Sequence, residues 1–266
     1  MKTFLKDVLR ACITQTATLL NIDIVVARKK QDTDHVFVDR NILESFYHND
    51  SYITLYNKGL VHAGMENTDH FLKQCRSYRL QQMLKHVLDK GLSGNVAECG
   101  CWKGHSSYII SEILAENDFK GKFSIFDSFE MGLSDKQEED TNVRHKMSDE
   151  DIKNEKLLFS SGEDDLHRVL KSFNFYELYK GWIPDRFSEV ESEEFVFVHL
   201  DVDLYQPTLD SLEFFYPRLK KGGVIVIDDY GYTQFPGAKK CVDEFMERNE
   251  SSLFFAGSTG GCFIIK

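Results

Sequence analysis

The sequence has no surplus of positive charge, and this shortage excludes one large class of partners. Its 266 residues include 43 acidic and 32 basic side chains, which gives a formal net charge of −11. Such a chain has no overall basic field that would attract a phosphate backbone. We therefore expect no nucleic-acid partner and favour a small-molecule ligand that is neutral or cationic.

Long apolar runs are also missing. The most apolar N-terminal segment, residues 4–26, is interrupted by polar and charged side chains such as Asp7, Arg10 and Asp23. A segment of this polarity is not suited to cross a bilayer, so we expect no membrane span. We also find no secretory signal with a cleavage site ahead of the six dispersed cysteines, which favours a reduced, cytoplasmic setting.

The cysteines show little sign of a metal-binding pattern. Cys99 and Cys101 could form half of a zinc site, but the sequence contains no second pair at metal-ligand spacing. We therefore interpret this pair as small residues packed beside a tight turn.

What the sequence does contain, from Asn95 onward, is an alternation of short apolar runs and helical patterns, typical of a doubly wound α/β sheet. Strands are predicted at 95–99, 122–127, 176–180, 195–201 and 223–228, and helices at about 106–117, 163–172, 208–218 and 238–248. Two final apolar runs, 253–256 and 262–265, flank a turn-rich joint and predict a hairpin. The expected fold is α/β: a mostly parallel, seven-stranded sheet with a C-terminal antiparallel hairpin.

Residues 1–67 are predicted to form an N-terminal extension, ahead of a catalytic domain at 68–266. Phe4, Val8 and Cys12 recur at helical spacing, which indicates packing against the main domain or a neighbouring subunit. A membrane surface is the weaker alternative. We therefore expect a helical lid and a homo-oligomer.

Three further segments complete the expected organisation. Residues 28–70 look irregular, whereas 71–90 have the apolar stripe of one helix. Residues 134–156 are densely charged and have no apolar period, which predicts a mobile loop that could cover a substrate.

A glycine-rich turn follows the first predicted strand of the sheet. In Glu98-Cys-Gly-Cys-Trp-Lys-Gly-His-Ser106, Gly100 and Gly104 flank the entry to a helix whose free amides could hold a carboxylate or phosphate. Asp127 ends the next strand, 23 residues beyond Gly104, where an acid can accept hydrogen bonds from a ribose. Together these features suggest a nucleoside-bearing cofactor. The alternatives are a packing turn for the glycines and a cap or turn role for Asp127.

Four carboxylates follow two other apolar runs. Asp201 and Asp203 come after Val198-His-Leu200, and Asp228 and Asp229 come after Val224-Ile-Val-Ile227. If the two strands are neighbours, these carboxylates converge and repel one another unless a cation or protons neutralise them. Hard oxygen ligands favour magnesium, calcium or manganese, so the clusters predict a metal site. His199 lies inside an apolar run, and we interpret it as a core histidine.

These motifs resemble one known family. The resemblance is carried by Glu98-Cys-Gly-Cys-Trp-Lys-Gly-His-Ser106, Phe126-Asp-Ser-Phe-Glu130, Gly181-Trp-Ile-Pro-Asp185, His199-Leu-Asp-Val-Asp-Leu-Tyr-Gln-Pro-Thr-Leu209, Tyr216-Pro-Arg-Leu219, Gly222-Gly-Val-Ile-Val-Ile-Asp-Asp-Tyr-Gly231 and Phe235-Pro-Gly-Ala-Lys-Lys-Cys-Val-Asp-Glu-Phe245. In this order they are similar to the macrocin O-methyltransferase (TylF-type) family over roughly residues 68–248. The resemblance implies a Rossmann-like class I methyltransferase fold, S-adenosylmethionine as methyl donor, a divalent metal that is usually magnesium, and a sugar hydroxyl as acceptor.

The resemblance also implies roles for individual residues. Asp201, Asp228 and Asp229 would be the metal ligands, with Asp203 as the general base beside the catalytic Asp201. The cofactor would contact Glu98, Gly100, Gly104, Ser106, Asp127, Ser128, Gly181 and Trp182, with Glu98, Gly100 and Ser106 at its methionine end and Asp127 at its ribose. His105 departs from the family, where a small residue is common, and the first 60 or so residues match no pattern.

Three alternatives stay open at this point. Asp201-Val-Asp203 also has the form of the Asp-x-Asp metal motif of sugar-nucleotide glycosyltransferases, which would bind a nucleoside diphosphate. A catechol-type methyltransferase is the nearest alternative within the class, although Tyr205-Gln-Pro-Thr208 and Phe235-Pro-Gly-Ala238 fit the sugar-modifying family better. A non-catalytic scaffold is the third, and the retained, mutually repelling carboxylates argue against it.

Overall fold

The computed structural model describes residues 22–26, 35–39, 50–141 and 149–266. The chain divides into two units, Met1–Thr54 and Leu55–Lys266. In the first, β1 (Ile22–Val26) pairs antiparallel with β2 (His35–Asp39), with Ile22 opposite Asp39. The expected helical pattern at Phe4, Val8 and Cys12 lies outside the described residues, and the predicted domain boundary after residue 67 lies inside the second unit.

The described residues form helices from Asp50 onward. The helices are α1 (Asp50–Ala63), α2 (Phe71–Asp89), α3 (His105–Glu116), α4 (Asp149–Leu158), α5 (Glu163–Val169), α6 (Tyr205–Arg218) and α7 (Pro236–Arg248). Short 3₁₀ turns lie at Glu66–Thr68, Phe129–Met131, Glu138–Asp140 and Phe187–Val190. Of the helices described, none has the length and apolar character needed to cross a membrane.

Seven strands form one sheet in the second unit. They are β3 (Asn95–Cys99), β4 (Phe123–Asp127), β5 (Tyr176–Lys180), β6 (Phe195–Leu200), β7 (Leu219–Ile227), β8 (Leu253–Ala256) and β9 (Cys262–Ile265). The strand order is β5-β4-β3-β6-β7-β9-β8. The first five strands are parallel, and β9 pairs antiparallel with both β7 and β8. The predicted α/β fold, with a C-terminal hairpin, is confirmed.

Alternate residues of the central strands feed two hydrophobic cores. Val96 and Val226 point to the core that contains Ile109 of α3. Ala97 and Ile225, their neighbours in sequence, point to the opposite core. Because both faces of these strands are covered, their sequences are continuous apolar runs instead of an apolar–polar alternation. That continuity is what made the strands recognisable.

Two predictions about irregular segments are wrong. Residues 28–70 contain β2 and α1, and α1 buries Leu55, Tyr56, Leu60 and Ala63 at helical spacing. The predicted loop at 134–156 contains a 3₁₀ turn and most of α4, while 142–148 lie outside the description. The turn is held because Asp140 accepts the backbone N–H of Tyr205 at 2.7 Å and that of Gln137 at 3.0 Å.

Candidate functional site

A cavity of about 770 Å³ opens at the carboxyl ends of the parallel strands. Its wall includes residues that directly follow β3, β4, β5, β6 and β7. The chain passes from β3 to β4 on one side and places β6 on the other, so the strand order reverses at β3. Such a reversal opens a crevice where ligands bind in α/β sheets. The fold therefore places the cavity where the sequence motifs converge.

The register of β6 and β7 brings the two acidic clusters together. Leu200 pairs with Ile227, and the N–H of Asp228 donates to the carbonyl of Leu200 at 2.9 Å. Ligand atoms of Asp201, Asp228 and His199 consequently lie within 4.8 Å of one another. His199, which we predicted to be a core histidine, is fully buried and also lies beside the acidic cluster.

Asp203 and Asp229 form a second contact between the same strand ends. Asp203 has a left-handed backbone, with φ of 62°, and its N–H donates to Asp229 Oδ2 at 2.8 Å. Both side chains are buried. Aspartate tolerates this backbone better than most residues, and such conformations are concentrated at functional sites.

Burial and mutual repulsion work against ionisation of three carboxyls. Burial raises the pKa of Asp229 to about 8, and the charge of Asp201 adds to this shift. The pKa of Asp203 lies well above its usual range because of burial and the charge of Asp229. Burial, then the charge of Asp228, raises the pKa of Asp201. The cluster is short of positive charge.

Asp228 is the exception in this group. Burial opposes its ionisation, but the charge and hydrogen bonding of His199 outweigh burial and hold the pKa of Asp228 at about 2. His199 is fully buried, and Asp228 and Glu98 raise its pKa far enough to overcome the burial that lowers it. Asp228 is therefore the carboxyl of the cluster whose surroundings favour the ionised form.

The donor atoms fit a divalent cation. Asp228 Oδ1 is buried and has no hydrogen-bond partner among the described residues. An unsatisfied buried carboxylate oxygen beside further carboxylates is the oxygen-rich surrounding that magnesium, calcium or manganese takes. Asp201 and Asp228, whose ligand atoms lie within 4.8 Å of each other and of His199, are thus suited to hold such an ion. The ligand atoms of Asp229, whose Oδ2 accepts the Asp203 N–H, are not part of this group.

Arg76 is a functional candidate that the sequence did not reveal. It projects from α2, its Nε lies 3.9 Å from Asp228 Oδ2, and its guanidinium lies 5.4 Å from the ring centre of Tyr232. Nearby, Lys73 donates to the Thr68 hydroxyl at 2.7 Å, and burial lowers its pKa to about 8. A signal was present, because Lys73, Arg76 and Arg79 are spaced by three residues on one helix.

Gly100 and Gly104, the two glycines of the turn, have different structural roles. Gly100 lines the cavity with φ of 80°, and a Cβ there would lie 2.0 Å from the carbonyl oxygen of Asp201. Gly104, with φ of 84°, precedes α3, and a Cβ there would lie 2.6 Å from Leu166 Cδ1. Gly104 is therefore a packing residue, whereas Gly100 allows the turn to approach the acidic strand end.

Asp127 fastens the glycine turn. Its Oδ2 accepts the backbone N–H groups of Cys101 at 2.7 Å and Trp102 at 3.0 Å, and its Oδ1 accepts that of Phe129 at 2.6 Å. A carboxylate offers roughly four acceptor positions, so these three N–H groups use most of its capacity. The structure thus gives Asp127 the turn-stabilising role of the alternative interpretation, and it keeps the side chain in the cavity wall.

The remaining residues of the predicted cofactor set divide into two groups. Ser106, Ser128, Gly181 and Trp182 line the cavity. Glu98 is fully buried beneath it, accepts the Ser107 hydroxyl at 2.5 Å, and has its Oε1 2.9 Å from His199 Nδ1. Glu98 and Gly104 are outside the cavity wall formed by the described residues. A direct cofactor contact from Glu98 therefore has no geometric support.

His105 fills a space that a glycine leaves open. Its Nε2 lies 3.1 Å from the carbonyl oxygen of Tyr56, and the two rings meet edge to face at 5.0 Å. A Cβ on Gly59 would lie 2.9 Å from His105 Cδ2. Burial lowers the pKa of His105 to about 3, so it forms a neutral part of the cavity wall. The departure at His105 is matched by a glycine on α1.

The chain resembles known proteins over most of its length. The model of the family described as Macrocin-O-methyltransferase (TylF) matches residues 65–253. The demethyldecarbamoylnovobiocin O-methyltransferase of Streptomyces niveus is 24% identical over 240 residues, which cover 87% of this chain and 87% of that protein. The 8-demethyl-8-(2,3-dimethoxy-alpha-L-rhamnosyl)-tetracenomycin-C 4'-O-methyltransferase of Streptomyces olivaceus is 31% identical over 161 residues, 57% of this chain and 58% of that protein. The solved O-methyltransferase NovP shares the fold, with a TM-score of 0.60 at 21% identity over 71% of this chain and 78% of NovP.

Proposed function

Since this chain belongs to the macrocin O-methyltransferase family, we propose that it transfers a methyl group from S-adenosylmethionine to a hydroxyl of a sugar. The acceptor would be a free sugar or a glycosylated small molecule. Support for the acceptor class comes from the family match and from a relative whose name includes a rhamnosyl group.

One observation carries the proposal: a fastened glycine turn and a carboxylate cluster share one cavity. Gly100 and Asp127 belong to the turn, and Asp201 and Asp228 belong to the cluster. The potential Cβ of Gly100 lies 2.0 Å from the Asp201 carbonyl oxygen, which places the two parts in contact. This arrangement suits a reaction between a nucleoside-bearing donor and an acceptor held at the cluster.

The donor end of the cavity would be formed by the turn and its neighbours. S-adenosylmethionine supplies a methyl group on a sulfonium, which is already an activated electrophile. Gly100 and Ser106 would border its methionine part, and Asp127 would accept a hydrogen bond from a ribose hydroxyl. Ser128, Gly181 and Trp182 would enclose the nucleoside and exclude water. The protein's main task at this end is orientation.

The acceptor end would be formed by the carboxylates. Asp201 and Asp228 would hold a divalent cation, with Asp229 as the third ligand that the family resemblance implies. The positive charge of the cation lowers the pKa of a nearby hydroxyl. A sugar hydroxyl is a poor nucleophile at neutral pH, so it needs a base as well. Asp203 adjoins the cluster and faces the cavity, and we assign it the removal of the hydroxyl proton.

The carboxylate repulsion described above bears on this role for Asp203. Burial and the charge of Asp229 raise the pKa of Asp203 well above its usual range. Positive charge held at the cluster would favour the ionised form of Asp203, which is the form that accepts a proton.

Calorimetric binding of S-adenosylhomocysteine, with and without magnesium, tests the proposal. We expect micromolar binding of S-adenosylhomocysteine and no competition by a uridine or thymidine diphosphate. The reverse result, nucleoside diphosphate binding without S-adenosylhomocysteine binding, would support the glycosyltransferase alternative. Turnover of catechol with no turnover of rhamnose-bearing acceptors would move the chain to the catechol-type alternative.

A further inference from the structure

A continuous chain of buried polar groups runs beneath the cavity. The Ser107 hydroxyl donates to Glu98 Oε2 at 2.5 Å, and Glu98 Oε1 lies 2.9 Å from His199 Nδ1. His199 Nε2 then lies 3.5 Å from Asp228 Oδ2. Ser107, Glu98 and His199 are each 0% exposed, so these contacts lie in the protein interior. It connects α3 and β3 to the carboxylate that ends β7.

The two oxygens of Asp228 have different surroundings. His199 Nε2 and Arg76 Nε both approach Oδ2, at 3.5 Å and 3.9 Å. Oδ1 is buried and has no hydrogen-bond partner among the described residues. Two side chains thus approach one oxygen of Asp228, and the other oxygen faces neither of them.

From this asymmetry we propose that Glu98 and His199 are positioning residues for the metal ligand Asp228. Glu98 fixes the ring orientation of His199, and His199 fixes the carboxylate of Asp228 with Oδ1 turned to the cation. This inference rests on the proposed function, because it takes Asp228 as a ligand. It gives Glu98 a different role from the cofactor contact that the family resemblance implies.

The physical reason is that a buried ligand must be oriented before an ion arrives. If the carboxylate could rotate freely, metal binding would be weaker, because the carboxylate would lose rotational entropy on becoming ordered. Groups that orient metal ligands from behind typically change metal affinity by 10- to 100-fold. The network here has the geometry for that task, since Glu98 contacts both Ser107 and His199, and His199 Nε2 lies 3.5 Å from Asp228 Oδ2.

The experiment compares metal and cofactor affinity in the full-length chain. Glu98→Gln and His199→Gln keep the approximate size of each side chain and remove the network's hydrogen-bond pattern. Glu112→Gln, at a partly buried glutamate that accepts from Lys58 on α1, is the matched control. Mn²⁺ affinity is measured by electron paramagnetic resonance, and S-adenosylhomocysteine affinity by calorimetry without metal.

We expect Glu98→Gln and His199→Gln to weaken Mn²⁺ binding by about 10- to 100-fold. S-adenosylhomocysteine affinity should change by less than about threefold, and Glu112→Gln should change neither. If Glu98→Gln weakens S-adenosylhomocysteine binding and leaves Mn²⁺ binding intact, the inference is overturned and Glu98 is a cofactor residue. Failure of the wild type to bind S-adenosylhomocysteine would instead contradict the proposed function.

His199→Gln also separates positioning from simple charge. If His199 acted only through its positive charge, its removal would strengthen Mn²⁺ binding, and this result would overturn the inference. A strong ¹⁴N coupling in the echo-modulation spectrum of bound Mn²⁺ would make His199 a ligand and would equally overturn it. Ser107→Ala removes only the hydrogen bond from Ser107 to Glu98, and it tests the inference if Glu98→Gln or His199→Gln does not fold. It should weaken Mn²⁺ binding severalfold with no effect on S-adenosylhomocysteine.

Discussion

Asp203 has an unusual backbone conformation as well as a buried side chain. It is buried, it has a left-handed backbone, and its own N–H is held by Asp229. A left-handed conformation costs roughly 1 kcal/mol or more for a non-glycine residue, so the surroundings must hold it in place. Asparagine tolerates the same backbone, which makes Asp203→Asn a change of chemistry without a change of shape.

We predict that Asp203→Asn lowers kcat by ~100-fold or more, the usual loss when a general base is removed. Mn²⁺ and S-adenosylhomocysteine affinities should stay within severalfold of wild type. The measurement is kcat as a function of pH in both proteins. A flat pH profile shared by wild type and variant would argue against a proton-transfer role for Asp203.

For the ligand aspartates the expectation is different. Asp201→Asn and Asp228→Asn each remove a negative oxygen ligand, so turnover should fall below detection while S-adenosylhomocysteine binding survives. The measurement is turnover across a magnesium titration, with calorimetry of S-adenosylhomocysteine as the control for folding. Wild-type turnover in either variant would refute the ligand assignment.

His105 gives a stability prediction whose sign can be worked out. Burial lowers its pKa to about 3 in the folded chain, against about 6.5 when unfolded, so its contribution to stability is complete above pH 6.5. That contribution is lost as pH falls from 6.5 toward 3, because the unfolded chain takes up the proton first. Between pH 7 and pH 5 the unfolding free energy should drop by about 2 kcal/mol from this group.

Urea unfolding at several pH values measures the effect. His105→Gln should remove most of this pH dependence, and His167→Gln, at an exposed position on α5, is the control for loss of an imidazole. Equal slopes for wild type and His105→Gln would contradict the assigned burial effect.

At the scale of elements, the sequence predicted the strands well because their physics is local. The predicted strands 95–99 and 176–180 coincide with β3 and β5. Strands that are buried on both faces are continuous apolar runs, which are distinctive in a sequence. The acids that follow β6 and β7 could therefore be assigned to the carboxyl ends of the sheet. α1 was missed although Leu55, Tyr56, Leu60 and Ala63 recur at helical spacing, because Gly59 lowers the helix propensity and the exposed Val61 blurs the apolar stripe.

The sequence predicted the position of a site residue only where that residue directly follows a recognisable strand. Asp201 and Asp228 end neighbouring strands, so their proximity followed from the topology. Arg76 reaches the cluster from a helix far away in sequence. The spacing of Lys73, Arg76 and Arg79 indicates a basic helix face but does not specify which site that face contacts. Glu98 was assigned to the cofactor by resemblance, but its side-chain direction depends on Ser107 and His199, which only the packed structure reveals.

The glycine turn allows a paired test of close approach. Gly100→Ala should destabilise the chain by about 3 kcal/mol or more, because it adds a backbone clash to a left-handed conformation. Gly91→Ala, at φ of 66° with open space around the potential Cβ, should cost only about 1 kcal/mol. The measurement is chemical unfolding of both variants. Equal losses would show that conformation alone, and not contact with Asp201, requires the glycine.

At the scale of the whole molecule, cation binding should appear as thermal stability. A ligand that binds only the folded chain at 100 times its Kd adds about 2.7 kcal/mol, or about 5 °C or more in Tm for a chain of this size. Magnesium should therefore raise the Tm of wild type, and a chelator should reverse the change. Asp228→Asn should show no shift, and a shift equal to that of wild type would place the ion elsewhere.

The hydrogen bonds of Asp127 have a consequence for how the cavity meets its ligand. Three backbone amides converge on this carboxylate, so the loop between β3 and α3 has its shape before any nucleoside arrives. Ligand binding then requires little additional ordering of the loop, so most of the conformational entropy lost on binding is that of the ligand. Asp127→Asn should thus loosen this loop and make binding entropically less favourable, in addition to any change in its contact with the ribose.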